Sequence, residues 1–86
     1  MTKDDLKEFE EQVRIKLHEK IETDSESGIV VTTTDTPNSK IWIRVYMLFF
    51  MFEKEYLIEE KTPEQIVARF SYDLSGELCN TIYPKE

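Results

Sequence analysis

Ile41-Trp42-Ile43-Arg44-Val45-Tyr46-Met47-Leu48-Phe49-Phe50-Met51-Phe52 is the stretch on which the fold turns. Read as an extended chain, it places Ile41, Ile43, Val45, Met47, Phe49 and Met51 on one face and Trp42, Arg44, Tyr46, Leu48, Phe50 and Phe52 on the other. Both faces are apolar, whereas a strand with one side in water alternates with polar residues. This strand is therefore expected to be covered on both sides. Helix competes for the second half, because Val45, Leu48, Phe49, Phe52 and Tyr56 also fall on one helical stripe. β-branched and aromatic enrichment favours strand as far as about Leu48.

Upstream, Ile29 to Thr34 is an unbroken run rich in β-branched residues and reads as another strand. Asp35-Thr36-Pro37-Asn38-Ser39 supplies turn chemistry between the two, so they are expected to form an antiparallel hairpin. Downstream, Tyr56-Leu57-Ile58 within the charged stretch Glu53 to Lys61 reads as a third, edge-like strand guarded by glutamates.

Helices flank this β region. Leu6, Phe9, Val13, Leu17 and Ile21 recur at spacings of three and four, and Thr2 with Asp5 three residues on supplies the start of a helix running to about Glu22. Ile15 points away from that stripe and is a candidate contact point. Thr23 to Gly28 breaks the helix. Thr62-Pro63-Glu64-Gln65 is a second helix start, followed by inward Ile66, Val67, Phe70 and Leu74 and an expected end at Ser75-Gly76. A rival reading ends this helix near Arg69 and makes residues 70–83 a hairpin. In both readings Leu78 to Tyr83 is a short strand. The expected fold is thus one α+β domain over residues 1–86: an N-terminal helix, an antiparallel hairpin or three-stranded sheet, a second helix, and a short C-terminal strand.

The 86 residues leave room for one modest core, and with Cys79 the only cysteine no disulfide within the chain reinforces it. The start lacks a basic segment and an apolar export core, so the chain is expected to begin where the sequence begins and to stay in a reducing, cytosolic compartment. The longest apolar stretch falls short of the roughly 20 residues that span a bilayer.

Eighteen acidic residues against eleven basic ones give a net charge of −7, which disfavours a phosphate backbone as ligand and suits a basic protein surface. Catalytic constellations are missing. His18 and Cys79 make an unsupported pair without a glycine-rich elbow. His18 with Glu22 is too little for a metal. Asp35 upstream of Glu59-Glu60-Lys61 matches the acidic pair and lysine of some metal-dependent nucleases, a pattern that chance supplies in a chain this acidic. Gly28 and Gly76 stand too far apart for a phosphate cradle. No cofactor, metal or catalytic residue is expected.

The order helix, hairpin, third strand, helix resembles, at the level of topology alone, double-stranded-RNA-binding domains. The resemblance implies a lysine cluster at the start of the last helix, where this chain reads Lys61-Thr62-Pro63-Glu64-Gln65-Ile66. One lysine beside a glutamate does not grip phosphate. A minimal nucleic-acid-binding domain using Lys40, Arg44, Lys54 and Lys61 is the alternative reading.

The preferred expectation is a non-enzymatic adaptor or inhibitor that occludes a larger, basic or nucleic-acid-handling protein. Small acidic proteins of this kind are common on phages and mobile elements. The expected contact residues are Asp4, Glu8, Glu11, Glu53, Glu55, Glu59 and Glu60 around the aromatic anchors Trp42, Tyr46 and Tyr56. A homodimer through the face carrying Trp42, Tyr46, Leu48 and Phe50 is also expected, to cover what two helices cannot.

Overall fold

The computed structural model describes residues 2–35 and 38–82, with side chains as far as residue 78. Helix α1 (Lys3–Lys20) starts at the anticipated cap: Thr2 Oγ1 accepts from the Asp5 amide at 3.1 Å, and Asp5 Oδ2 accepts from the Thr2 amide at 3.4 Å. Strands β1 (Gly28–Thr34), β2 (Lys40–Met47) and β3 (Phe50–Leu57) form one antiparallel sheet in that order. Helix α2 (Pro63–Ile82) follows, opened by a second capping box in which Thr62 and Gln65 exchange side-chain to backbone hydrogen bonds.

The run from Ile41 to Phe52 is not one long strand. It reverses at Leu48-Phe49, and Met47 pairs with Phe50 directly across the turn. Two-residue hairpin loops ordinarily use positive φ, hence glycine or asparagine. Neither Leu48 nor Phe49 has a positive φ, so the chain turns without the residues that announce a turn. This corrects the expected faces. Register places Phe52 opposite Val45 on the buried side, with Phe50 packed against the same core, and Met51 opposite Tyr46 on the other side. The helical alternative for this stretch is overturned with it. The third strand exists, beginning at Phe50, earlier than the charge pattern suggested.

Both helices cover one face of the sheet. Leu6, Phe9, Val13 and Leu17 of α1 and Ile66, Val67, Phe70 and Leu74 of α2 enclose Val31, Ile41, Ile43 and Val45. Phe70, fully buried, meets Phe52 at a ring distance of 5.5 Å and Tyr56 in a T-shaped contact at 6.5 Å, fastening α2 to β3.

α2 also corrects the sequence reading, because it continues through Ser75-Gly76 to Ile82. The 70–83 hairpin is therefore absent, and residues 78–82 are helix rather than strand; Tyr83 lies outside the described residues. A helical glycine costs only about 1 kcal/mol relative to alanine, which the packing of Phe70 and Leu74 on one side of Gly76 and the contact of Leu78 on the other outweighs. Among the described residues, no helix is long and apolar enough to cross a membrane.

Candidate interaction surfaces

The structure divides the expected contact residues among four places. Asp4, Glu8 and Glu11 lie exposed on the side of α1 away from its buried stripe. Helical spacing puts Ile15, 45% exposed, and Glu19 on the same face, so the anticipated contact isoleucine stands in an acidic stripe. Glu11 pairs with Arg14 at 2.8 Å.

Trp42, Tyr46, Glu53 and Glu55 do come together, on the sheet face that no helix covers. Register sets Trp42 opposite Glu55, Arg44 opposite Glu53, and Tyr46 opposite Met51. Arg44 lies 4.7 Å over the Trp42 ring and donates from Nε and Nη2 to Glu53 Oε2 at 3.1 and 2.9 Å. The indole is thereby half-buried under its own neighbour. Tyr46 is more open and leans across the strand over Gly28.

Tyr56, the third of the expected aromatic anchors, lies apart from the other two. It points to the helical side, half-buried, and donates its phenol hydrogen to Asp73 Oδ2 at 2.6 Å. Burial first, and then that carboxylate, push its pKa above the ordinary phenol value. Glu59 and Glu60 lie exposed in the loop after β3, where the Lys61 amide donates to the Ile58 carbonyl and Glu60 is held at a φ of 61°. That loop is at the end of the sheet away from the β2–β3 turn.

The residues of the nuclease-like pattern do converge: Asp35, Glu59, Glu60 and Lys61 line one shallow depression beside Asn38 and Ser39. Among the described residues, no three His, Cys, Asp or Glu side chains are grouped to hold a metal ion. His18 is exposed on α1, and the side chain of Cys79 lies outside the described residues. Of the cations in the nucleic-acid reading, Arg44 is bound to Glu53, and Lys40 lies 3.7 Å from Glu55. At the start of α2 the exposed Glu64 pairs with Lys16 at 3.2 Å.

Sequence reasoning missed the feature that stands out most. The β2–β3 turn holds Leu48 65% and Phe49 95% exposed, with Met47, Met51 and Tyr46 exposed beside them. The signal is present as an apolar run too long for two helices to bury, but no turn residue marks the reversal, so the sequence reads as a strand with a covered second face. Gly28 pairs with Tyr46, so the acidic loop of Glu22, Asp24 and Glu26 that leads into β1 lies at the same end of the sheet as this tip. Asp24 closes that loop, accepting from the Glu26 amide at 2.8 Å and from Ser27 Oγ at 3.1 Å, and these bonds lower its pKa.

Comparison with known protein families, with curated proteins and with solved structures finds no match to this chain.

Proposed function

We propose that this protein is a non-catalytic adaptor or inhibitor of a reducing, cytosolic compartment, which docks on a larger protein with a basic surface and occludes it. The observation that carries the reading is the β2–β3 tip, where Phe49 stands almost wholly in water at the end of a paired hairpin. A large apolar side chain held out on regular structure loses little conformational entropy when it enters a pocket, which is the chemistry of an interface anchor. The net charge of −7 and the acidic loop beside the tip favour a pocket with a basic rim and speed the encounter.

A test compares what the wild-type protein and a Phe49→Ser variant retain from extract of the native cell. The expected result is a stoichiometric partner held by the wild type and lost with the variant, while circular dichroism of the two is the same. Equal retention would move the contact away from the tip.

A twofold dimer through the open sheet face is a second interaction that we propose. The supporting residues are now Val30, Tyr46, Met51 and Leu57, all exposed there, in place of Leu48 at the turn and Phe50 against the core.

A further inference from the structure

The two edges of the sheet are finished differently. On β1, Glu10 of α1 reaches over the edge, and its Oε1 accepts from the Thr33 amide at 3.0 Å and from Thr33 Oγ1 at 3.4 Å. A carboxylate on an outward amide blocks the pairing of another strand. β3 carries the expected glutamates, but among the described residues no side chain caps an outward amide there. The bond from the Ile58 amide to the Ser39 carbonyl, 3.2 Å, sets the phase of the β2–β3 ladder. Residues 50, 52, 54 and 56 bond to β2, and the backbone groups of Met51, Glu53, Glu55 and Leu57 point outward. Among the described residues, nothing in the chain bonds to these outward groups.

We propose that β3 takes an extended segment of a partner protein as a fourth strand, with lysine or arginine at alternate positions. The proposal rests on the reading that the partner is basic, and it names how part of that partner is held. On the open face the added strand runs beside Glu53 and Glu55. Arg44 uses only Oε2 of Glu53, and Lys40 only Oε1 of Glu55, so each carboxylate keeps one oxygen for a cation from the new side. Glu59 and Glu60 extend the acidic track beyond the strand. On the helical side the neighbours are the rings of Phe52 and Tyr56 and the cations Lys54 and Arg69, so basic residues are excluded there and apolar ones pack on the rings. Recognition is therefore an alternation of basic and apolar residues, with backbone bonds supplying affinity and the glutamates choosing the sequence.

A second copy of the chain is disfavoured in the pairings that use the middle of this edge. In a twofold antiparallel pairing centred on Glu53, Lys54 or Glu55, the central residue meets its own copy, and like charges lie directly opposite.

The test follows amide exchange of the isotopically labelled full chain by NMR, with acetyl-(Lys-Val)4-amide as the probe. The expected result is that exchange of the Met51, Glu53, Glu55 and Leu57 amides slows by about tenfold or more, while Ile29 and Val31 on the other edge do not change. The same peptide N-methylated at every second residue, and acetyl-(Glu-Val)4-amide, should have no effect. Glu55→Pro removes an outward donor without touching a β2 bond and should abolish the protection, whereas Glu55→Gln should only weaken it. Equal binding of the N-methylated peptide, or no slowing at β3, overturns the proposal. Perturbation confined to the acidic stripe of α1 also overturns it, while leaving the basic-partner reading intact; loss of the partner with Phe49→Ser bears on that reading alone.

Discussion

Tyr56 of β3 and Asp73 of α2 are joined by a 2.6 Å hydrogen bond, and Asp73 also lies 3.4 Å from Arg69 one turn earlier in the helix. This polar clamp joins the same helix and strand as the Phe52–Phe70 contact. Because the phenol donates to a charged acceptor, Tyr56→Phe is expected to cost about 1 kcal/mol, the half-exposed site screening part of a charged hydrogen bond. Urea unfolding at neutral pH measures it.

The same pair sets a pH dependence. The folded state raises the Tyr56 pKa above its ordinary 10.0, so folding favours the protonated phenol. Its contribution is complete below about pH 10 and is lost as pH rises from there towards the raised value. The urea midpoint of the wild type should fall more steeply between pH 9 and about 11 than that of Tyr56→Phe. Parallel curves would show that the phenol is not held.

Glu10 is expected to matter more than an exposed helical glutamate ordinarily does. Glu10→Ala frees the Thr33 amide and leaves Arg14 with Glu11 alone, at an expected cost of about 1–2 kcal/mol. It also opens the β1 edge. Light scattering at rising concentration should detect association in the variant beyond that of the wild type, and Glu10→Gln, which retains an acceptor oxygen, should suppress most of it.

Gly28 makes room for Tyr46. A Cβ built on Gly28 falls 2.6 Å from Tyr46 Cζ, and the backbone there does not have a positive φ. Gly28→Ala therefore displaces the exposed ring without straining the strand. The expected loss of stability is below about 1 kcal/mol, the scale of one cross-strand pair. If Tyr46 is a contact residue, partner affinity falls with Gly28→Ala as it does with Tyr46→Ala; an unaffected partner would take Tyr46 out of the interface.

Glu60 occupies the one non-glycine position with positive φ among the described residues. Glu60→Gly relieves that conformation and is expected to raise stability by about 0.5–1 kcal/mol in thermal unfolding. Its side chain is exposed, so no packing is lost.

The proposed dimer predicts a mass of twice 10.3 kDa by light scattering at micromolar concentration. Tyr46→Glu with Met51→Glu, on the open face, should return it to monomer without changing its circular dichroism. A monomeric wild type would remove the dimer and leave the tip and the β3 edge as the interaction surfaces.

Local chemistry by itself determined the caps at Thr2 and Thr62, the buried stripes Leu6-Phe9-Val13-Leu17 and Ile66-Val67-Phe70-Leu74, and the hairpin of β1 with β2. In each case residues close in sequence carry the whole signal: a side chain reaching a backbone amide three residues away, or apolar groups recurring with the period of their element. Tertiary structure decided the rest. The reversal at Leu48-Phe49 has no turn residue to announce it and follows from the pairing of Met47 with Phe50 and the burial of Phe52 beneath Phe70. α2 passes through Gly76 because Leu74 and Leu78 on either side of it pack on the core. Which aromatic becomes a clamp, as Tyr56 does, and which stands in water, as Phe49 does, depends on contacts between elements far apart in the chain. The same is true of the edge that Glu10 closes and the edge left open on β3, since a strand's free side exists only once its other side is paired.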